Sequence, residues 1–214
     1  MEEPTRIIAI RHGETAWNVD TRIQGHLDIP LNDTGRRQAG QLAAALGEEP
    51  VSAIYASDLS RAWETAQAVG RTTGAPVHAA PALRERGFGI FEGKTFAEVE
   101  TALPAQALRW RRRDPDFEPE GGESLRRFRT RVTQAAHGLA ARHPGQLIAL
   151  VAHGGVLDVL YRDATGLDLQ APRTWALGNA AINRLLWTPS GLMLVGWADT
   201  QHLRSSGALD ETTT

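Results

Sequence analysis

The chain has 214 residues, of which 42% are hydrophobic and 22% charged, proportions that predict a soluble globular protein with a substantial core. Its formal net charge of −2 gives no general attraction to nucleic acid or to an anionic membrane, so we expect neither as a partner. The absence of cysteine excludes disulfides, thiolate metal sites and cysteine-phosphatase chemistry. No apolar run approaches the ~20 residues of a bilayer span, and Met1-Glu2-Glu3-Pro4 lacks signal-peptide features. We therefore expect a cytoplasmic protein.

Short apolar strands alternate along the chain with amphipathic helices. The pattern predicts strands at 6–10, 51–56 and 147–152, a short strand from Val77, and a hairpin with arms at 182–187 and 192–197. It predicts helices at 34–46, 57–72, 123–143 and 156–165, and a helical stretch at 98–113 that Pro104 interrupts. This order indicates one α/β domain over residues 1–204, a three-layer α/β/α sandwich with a mostly parallel central sheet. The polar residues 205–214 are expected to form a disordered tail.

A polar pentapeptide, Arg11-His12-Gly13-Glu14-Thr15, directly follows the first predicted strand. In open α/β sheets, ligands bind in the crevice beyond the carboxyl ends of the strands, which is where this pentapeptide falls. The arginine fork matches two phosphate oxygens, and histidine can act as an uncharged nucleophile near neutral pH. The pair therefore predicts an oxyanion site with a nitrogen nucleophile.

Two further motifs bring a second arginine and a second histidine to such positions. Arg61 falls in the first turn of the predicted helix 57–72, which we expect Ser57 or Asp58 to cap. A cation there opposes the helix dipole at a cost of a few tenths of a kcal/mol or more, and a bound anion would offset that cost. His153-Gly154-Gly155 follows an apolar strand, and its glycines let a ligand approach the backbone closely.

The fourth motif, Leu83-Arg84-Glu85-Arg86, places a carboxylate between two cations. The glycine-rich sequence that follows it, Gly87-Phe88-Gly89, predicts a loop rather than a regular element. Glu85 is a candidate for proton transfer, and the alternative is that it only forms an ion pair with Arg84 or Arg86.

These four motifs, in this order, resemble the histidine phosphatase superfamily, also called the phosphoglycerate mutase-like fold. The resemblance runs from about Ile7 to about Asp199. Thr21-Arg22-Ile23-Gln24-Gly25, and Phe91-Glu92-Gly93 after Glu85, are similar to the cofactor-independent, phosphatase-type branch. The resemblance implies a phosphoglycerate mutase-like α/β fold, a phosphoric monoester hydrolase, a small-molecule phosphomonoester as substrate, and no cofactor.

The chemistry of phosphate monoester hydrolysis gives each motif a role, because it depends on positioning and on electrostatic stabilisation of the transferring group. His12 is expected to attack phosphorus and form a phosphohistidine, while its other ring nitrogen donates to a backbone carbonyl. Arg11 and Arg61 are expected to clamp the phosphoryl oxygens, and His153 to bind phosphate through a positive charge or a donor. Glu85 is the expected general acid, and later the base for water.

Four more positions are expected to take part in binding phosphate or substrate. Asn18 and Gln24 match positions that contact phosphate or substrate in the family that the chain resembles. Gly154 belongs to the turn that presents His153, and the Thr15 hydroxyl is expected to help order the loop after Arg11 and His12.

A phosphoglycerate mutase, an isomerase that uses the same phosphohistidine, is the alternative function. Such a mutase would have to hold a bisphosphate, and its second anion could be bound by Arg111, Arg112 and Arg113. The interpretation that we favour for these arginines is a solvated basic face beside Asp114 and Asp116. Residues 94–122 are predicted to be an insertion over the active site, shorter than in cofactor-dependent mutases and without their proline-rich stretch. These differences favour hydrolysis.

A third hypothesis makes His12, His153 and Glu85 a metal site of two histidines and one carboxylate. Arg11 and Arg61 beside this group would repel a cation, so we expect no metal. A homodimer is left open, because nothing in the sequence decides the oligomeric state.

Overall fold

A computed structural model describes residues 3–204, so the tail predicted at 205–214 lies outside the described residues. Its strands are β1 (Thr5–Arg11), β2 (Val51–Ala56), β3 (Val77–Ala79), β4 (Leu147–Ala152), β5 (Ile182–Thr188) and β6 (Gly191–Asp199). They form one sheet in the order β3-β2-β4-β1-β5-β6. The β1–β4, β2–β4 and β2–β3 pairs are parallel, and the β1–β5 and β5–β6 pairs are antiparallel. The mostly parallel sheet and its C-terminal hairpin are confirmed.

Helices cover both faces of this sheet. They are α1 (Ala16–Val19), α2 (Asp33–Ala45), α3 (Ser60–Thr73), α4 (Phe96–Ala102), α5 (Pro104–Arg111), α6 (Leu125–Ala140) and α7 (Gly154–Thr165). Successive side chains of β1 point to opposite faces, so Ile8 and Ile10 join the core under α2 and α3, whereas Ile7 and Ala9 join the core under α6 and α7. The predicted three-layer sandwich is confirmed. No helix within residues 3–204 is long and apolar enough to cross a membrane.

The predicted side-chain cap of α3 is wrong. The helix begins after Leu59, which makes no side-chain cap hydrogen bond. The Ser57 hydroxyl lies 2.7 Å from Nε2 of His153, and the Asp58 carboxylate accepts a hydrogen bond of 2.6 Å from Arg84. Both residues that were expected to cap α3 therefore contact residues that are distant in sequence instead.

A separate small core joins the segment predicted to be an insertion to the chain just before it. Phe91, Val99, Ala107 and Phe117 form this core, and Trp110 of α5 packs against it. It is distinct from the two cores that line the faces of the sheet. Its packing fixes the indole of Trp110, which lies close to the functional residues described below. That residues 94–122 are an insertion stays a prediction.

The loop of residues 11–15 is pressed tightly against the start of α2. A Cβ on Gly13 would lie 2.5 Å from the carbonyl oxygen of Gly35, and a Cβ on Gly35 would lie 2.1 Å from that of Glu14. From α3, the hydroxyl of Thr65 accepts a hydrogen bond of 3.1 Å from the Gly13 amide. Two helices therefore hold this loop in place, and the close approach requires glycine at both positions.

We expect Gly35→Ala to lower the free energy of unfolding by about 1–3 kcal/mol, because backbone must shift to admit the methyl group. Gly40→Ala is the matched control, since a Cβ at this exposed position of the same helix meets nothing within 4 Å. The control should stabilise the protein by about 0.5–1 kcal/mol through helix propensity. Urea denaturation of both variants checks this, and equal stability of the two would contradict the contact described.

Candidate active site

The histidines that follow β1 and β4 meet at one edge of the sheet. In the parallel β1–β4 pair Arg11 is in register with Ala152, so His12 and His153 follow neighbouring strand ends. Their ring centroids lie 5.2 Å apart, and the amide of His12 donates to the Ala152 carbonyl at 3.0 Å. Both side chains are buried. The fold therefore places the two histidines in direct contact.

His12 is neutral, with a defined tautomer. Its Nδ1 lies 2.7 Å from the carbonyl oxygen of Gly13, and since a carbonyl can only accept, Nδ1 carries the hydrogen. The other nitrogen, Nε2, then has a free lone pair. Burial, followed by the charges of Arg11 and Arg61, holds the pKa of His12 well below its usual range. The hydrogen bond expected from the sequence is present.

Two buried arginines flank this histidine, and backbone carbonyls rather than carboxylates hold them. Arg61 donates to the carbonyls of Leu27 and Gly25, at 2.9 Å each, and Arg11 donates to the carbonyl of Leu177. Within residues 3–204, the Nε of each arginine is buried without a hydrogen-bond partner. Burial lowers the pKa of Arg61 to about 10, so both guanidinium groups keep their charge at neutral pH. The pair therefore gives this place two positive charges that no carboxylate neutralises by an ion pair within the described residues.

Glu85 lines the same cavity as Arg11 and Arg61, and within the described residues its carboxylate forms no ion pair with an arginine. Its Oε2 accepts a hydrogen bond of 2.9 Å from the Gly155 amide, and its Oε1 one of 2.8 Å from the Arg86 amide. The Arg84 side chain pairs with Asp58 instead. The alternative interpretation of Glu85 as an ion-pair residue is therefore wrong for both neighbouring arginines in the part of the chain that the structure describes.

The two side chains that hold the Glu85 loop gave no signal in the sequence. Arg131 of α6 donates to the carbonyls of Ala82 and Arg84, at 2.8 and 3.0 Å, and the His26 ring lies 2.8 Å from the Glu85 carbonyl. Arg86 itself turns away, and donates to two carbonyls rather than to a carboxylate. The carboxylate of Glu85 is thus fixed through its backbone as well as through its own hydrogen bonds.

His153 lies behind His12 and does not itself line the cavity. Its Nε2 is 2.7 Å from the Ser57 hydroxyl, while its Nδ1 is buried without a partner among the described residues. Burial, then the charges of Arg61, His12 and Arg11, holds its pKa well below the usual range. In the free protein His153 is neutral, so it offers a hydrogen-bonding nitrogen rather than a positive charge.

These groups surround an open cavity of about 190 Å³. Its lining residues are Arg11, His12, Asn18, Arg22, Ile23, Gln24, Gly25, Arg61, Glu85, Phe88, Trp110 and Gly154. Seven of these residues were predicted from the sequence as site residues. The other two predicted residues, His153 and Thr15, do not line the cavity. The side-chain oxygen of Gln24 is buried without a partner among residues 3–204. The cavity therefore combines cations, hydrogen-bonding groups and one carboxylate with the apolar side chains of Ile23, Phe88 and Trp110.

Thr15 and Asn18 order the loop below this cavity. The Thr15 hydroxyl caps α1 by accepting a hydrogen bond of 3.1 Å from the Asn18 amide, and the Asn18 side chain caps Thr15 in return. Asn179 connects this turn with His12, because its amide donates to the His12 carbonyl at 2.9 Å and lies 3.3 Å from the Asn18 side chain. Thr15 has a structural position, away from the cavity lining.

The three consecutive arginines Arg111, Arg112 and Arg113 do not form one solvated face. Arg112 is exposed, and Arg111 is exposed and paired with a glutamate of α4 at 2.5 Å. Arg113 is partly buried and donates to Asp158 at 2.7 Å. None of the three pairs with the two aspartates that follow them, which bind other arginines. Sequence adjacency alone could not assign these partners.

No group of three histidine, aspartate or glutamate side chains within the described residues has a geometry that could hold a metal ion. Glu85 uses both oxygens for backbone amides, and two guanidinium groups lie beside the histidines. The donor set therefore does not fit the metal-site hypothesis.

We expect Gly155→Ala to lower kcat by at least about tenfold, because a Cβ there would lie 2.2 Å from the Glu85 Oε1 and displace the carboxylate. Gly138→Ala in α6 is the control, since that added methyl meets nothing within 4 Å. Steady-state kinetics on a phosphomonoester checks this. An unchanged kcat in Gly155→Ala would contradict the placement of the carboxylate.

The free energy of unfolding should fall as the pH drops below about 6.5, the ordinary pKa of histidine in an unfolded chain. There the unfolded state gains protons that buried His12 and His153 do not take up, because burial has lowered their pKa values. Above that pH both states hold neutral rings, so this dependence vanishes. Each histidine contributes at most about 1.4 kcal/mol per pH unit. Urea denaturation across this range should give a shallower slope for His12→Gln, and an equal slope would contradict the assignment.

Three comparisons with known proteins bear on this site. The model of the histidine phosphatase superfamily (branch 1) matches residues 7–200. Among curated proteins, the chain is 38% identical to phosphoglycerate mutase-like protein 4 of Arabidopsis thaliana, over 95% of this chain and 89% of that protein. It is 37% identical to the metal-independent phosphoserine phosphatase of the same organism, over 97% and 87%.

A solved structure is also similar. The mycobacterial glucosyl-3-phosphoglycerate phosphatase, determined as a complex with VO3, has a TM-score of 0.81 and 32% identity, and the match covers 91% of this chain and 99% of that one. The resemblance noted from the sequence motifs is thereby confirmed. The chain belongs to the histidine phosphatase superfamily.

Proposed function

We propose that this phosphatase hydrolyses a small phosphomonoester in two steps, through a phosphohistidine on His12. One observation carries the proposal: a neutral histidine with a free Nε2 lies between two buried guanidinium groups, each with an unpartnered Nε donor. Two like charges in a desolvated cleft repel each other, and a phosphate dianion relieves that repulsion. The arrangement therefore favours a phosphoryl group at the position that an attacking His12 would require.

In the first step the Nε2 lone pair of His12 forms a bond to phosphorus while the bond from phosphorus to the ester oxygen breaks. Arg11 and Arg61 bind the equatorial oxygens, where charge accumulates in the transition state. The Glu85 carboxyl group donates its proton to the leaving oxygen, which departs as an alcohol. The Gly13 carbonyl, as acceptor of the Nδ1 hydrogen, stabilises the imidazolium that forms.

In the second step a water molecule takes the place of the alcohol. The Glu85 carboxylate accepts a proton from this water, whose oxygen attacks phosphorus as the bond to His12 Nε2 breaks. Inorganic phosphate leaves, and the neutral ring of His12 and the protonated Glu85 are both restored. One carboxyl group can serve both steps because the attacking water oxygen takes the position that the leaving ester oxygen has vacated.

The remaining polar residues support phosphate binding in this proposal. His153 acts through its contact with His12, as a neutral hydrogen-bonding group rather than a charge, because its pKa is held low in the free enzyme. Asn18, Gln24 and Gly154 line the cavity and contact the phosphoryl group or the adjacent part of the substrate. Thr15 acts through the order that it imposes on the loop.

Mutase activity is the second candidate, and the names of several relatives favour it. A mutase would return the phosphoryl group from His12 to a second hydroxyl of the same molecule rather than to water. The substrate itself is proposed only as a small phosphorylated metabolite. The predicted cytoplasmic location, and the homodimer left open by the sequence, stay untested predictions.

Phosphate release from a panel of phosphomonoesters that includes 3-phosphoglycerate, measured with a chelator present, tests the function. We expect His12→Ala to lower release by at least about a thousandfold, as loss of a nucleophile does. His78→Ala, at an exposed histidine away from the cavity, is the control.

Two results would overturn the hydrolytic proposal. One is release by His12→Ala at the rate of the wild type. The other is conversion of 3-phosphoglycerate to its 2-isomer, upon addition of a bisphosphate primer, with little free phosphate; this would make the enzyme a mutase.

A further inference from the structure

Hydrogen bonds hold the loop that carries His12 at each of its peptide units. In three of the four units between Arg11 and Thr15, both the carbonyl and the amide bond to other residues. These partners are Ala180, Ala152, Asn179, Thr65, Asn32 and Asn18. The unit between Gly13 and Glu14 differs, because its carbonyl accepts the hydrogen of His12 Nδ1 at 2.7 Å. The position of this one peptide therefore sets the position of the proposed nucleophile.

Gln38 of α2 holds the other side of that peptide. Its side-chain oxygen accepts a hydrogen bond of 2.8 Å from the Glu14 amide, which lies in the same plane as the Gly13 carbonyl. Gln38 follows Gly35 by one helical turn, and the close contact of Gly35 with the loop brings this face of α2 within reach. Gln38 is not one of the described residues that line the cavity, so we expect it not to touch the substrate.

The peptide after Gly13 needs this second hydrogen bond because glycine does not restrict its rotation. Gly13 has no Cβ, so its backbone dihedrals have little steric limit. A larger residue cannot supply the restriction, since a Cβ there would lie 2.5 Å from the carbonyl oxygen of Gly35. Rotation of the peptide would carry the acceptor away from Nδ1 of His12, and would free the ring to change its orientation or its tautomer.

The contacts also form a continuous chain of hydrogen bonds from the ring to α2. The chain runs from His12 Nδ1 through the Gly13–Glu14 peptide to Oε1 of Gln38. Hydrogen bonds that share one amide polarise each other, so an acceptor on its N–H makes its carbonyl a stronger acceptor. In the first step of the proposed reaction the ring gains positive charge as Nε2 bonds to phosphorus. A stronger acceptor on Nδ1 therefore stabilises that transition state.

We propose that Gln38 is a positioning residue for the nucleophile. It fixes the Gly13–Glu14 peptide, and through this peptide it sets the orientation and tautomer of His12 and supports the charge that the ring gains. This inference rests on the proposed function, since the charge arises when His12 attacks phosphorus. The oxygen of Gln38 makes the contact, so a residue that keeps an acceptor at this position should replace glutamine.

The substitution Gln38→Met tests the role in the reaction, because it removes the acceptor and nearly keeps the length of the side chain. We expect kcat for a phosphomonoester to fall about tenfold, while the inhibition constant of inorganic phosphate stays within about twofold. The two values separate because the proposed phosphate ligands, Arg11 and Arg61, are left in place. Gln41→Met, the same exchange one turn further along α2, is the matched control and should change neither value.

The proton on Nδ1 of His12 gives a readout that needs no turnover. Its nuclear magnetic resonance signal is identified by its loss in His12→Gln. We expect this signal to move upfield in Gln38→Met, because the carbonyl that accepts the proton becomes weaker or is displaced. The signal should keep its wild-type position in Gln41→Met.

The substitution Gln38→Glu tests whether an acceptor is sufficient. At about pH 8 the new carboxylate is ionised and can accept the hydrogen of the Glu14 amide. We expect kcat to stay within about threefold of the wild type, and the Nδ1 proton signal not to move upfield. This variant also decides the question if Gln38→Met does not fold: an upfield signal together with a lower kcat in Gln38→Glu overturns the positioning role.

The remaining outcomes separate this inference from the proposed function. An unmoved Nδ1 proton signal or an unchanged kcat in Gln38→Met overturns the positioning role. Equal losses of kcat and of phosphate binding would mean that Gln38 only supports the fold, and also overturn it. In each of these cases the proposed function stands, as long as His12→Ala is inactive. Hydrolysis that survives in His12→Ala overturns the proposed function instead, whatever the Gln38 variants show.

Discussion

Two guanidinium charges must stay buried beside a histidine that must stay neutral, and the arrangement of the site follows from that constraint. Carboxylate partners would neutralise Arg11 and Arg61, and an incoming phosphate would then have to displace them. Backbone carbonyls of Gly25, Leu27 and Leu177 hold the two side chains instead, so their charge remains directed at the cavity. The same charges, after burial itself, keep His12 unprotonated. Anion binding and nucleophile activation thus have one electrostatic origin.

The parallel sheet is what brings these groups together. Neighbouring parallel strands end at the same edge, so the pairing of β1 with β4 puts His12 and His153 in contact without any further device. The start of α3 then adds Arg61 from the next strand–helix unit. The close contact between Gly13 and Gly35 fixes the height of the loop above the sheet, and an added methyl group at either position would move the nucleophile.

The sequence alone was sufficient to predict the positions of side chains that directly follow an apolar strand. Arg11, His12 and His153 could be placed because a β-branched run and the polar residues after it are local signals. The parallel pairing of β1 with β4 then brings the residues that follow the two strands close together. The predicted cap of α3 was wrong because the relevant partners are distant in sequence. Ser57 and Asp58 have side chains that can cap a helix, but they contact His153 and Arg84 instead. Arg131, Asn179 and Trp110 carried no local signal at all. Each reaches the site from a helix or loop whose place is decided by tertiary packing.

The segment between α7 and β5 supports both groups that act on phosphate in the proposed mechanism. Its Leu177 carbonyl accepts a hydrogen bond from Arg11, and its Asn179 side chain donates to the His12 carbonyl. The Asn179 amide also lies 3.3 Å from the Asn18 side chain, so one short stretch of chain contacts three residues of the cavity lining. A substitution that displaced this segment would therefore move the proposed nucleophile and its phosphate-binding arginine together, rather than one of them alone.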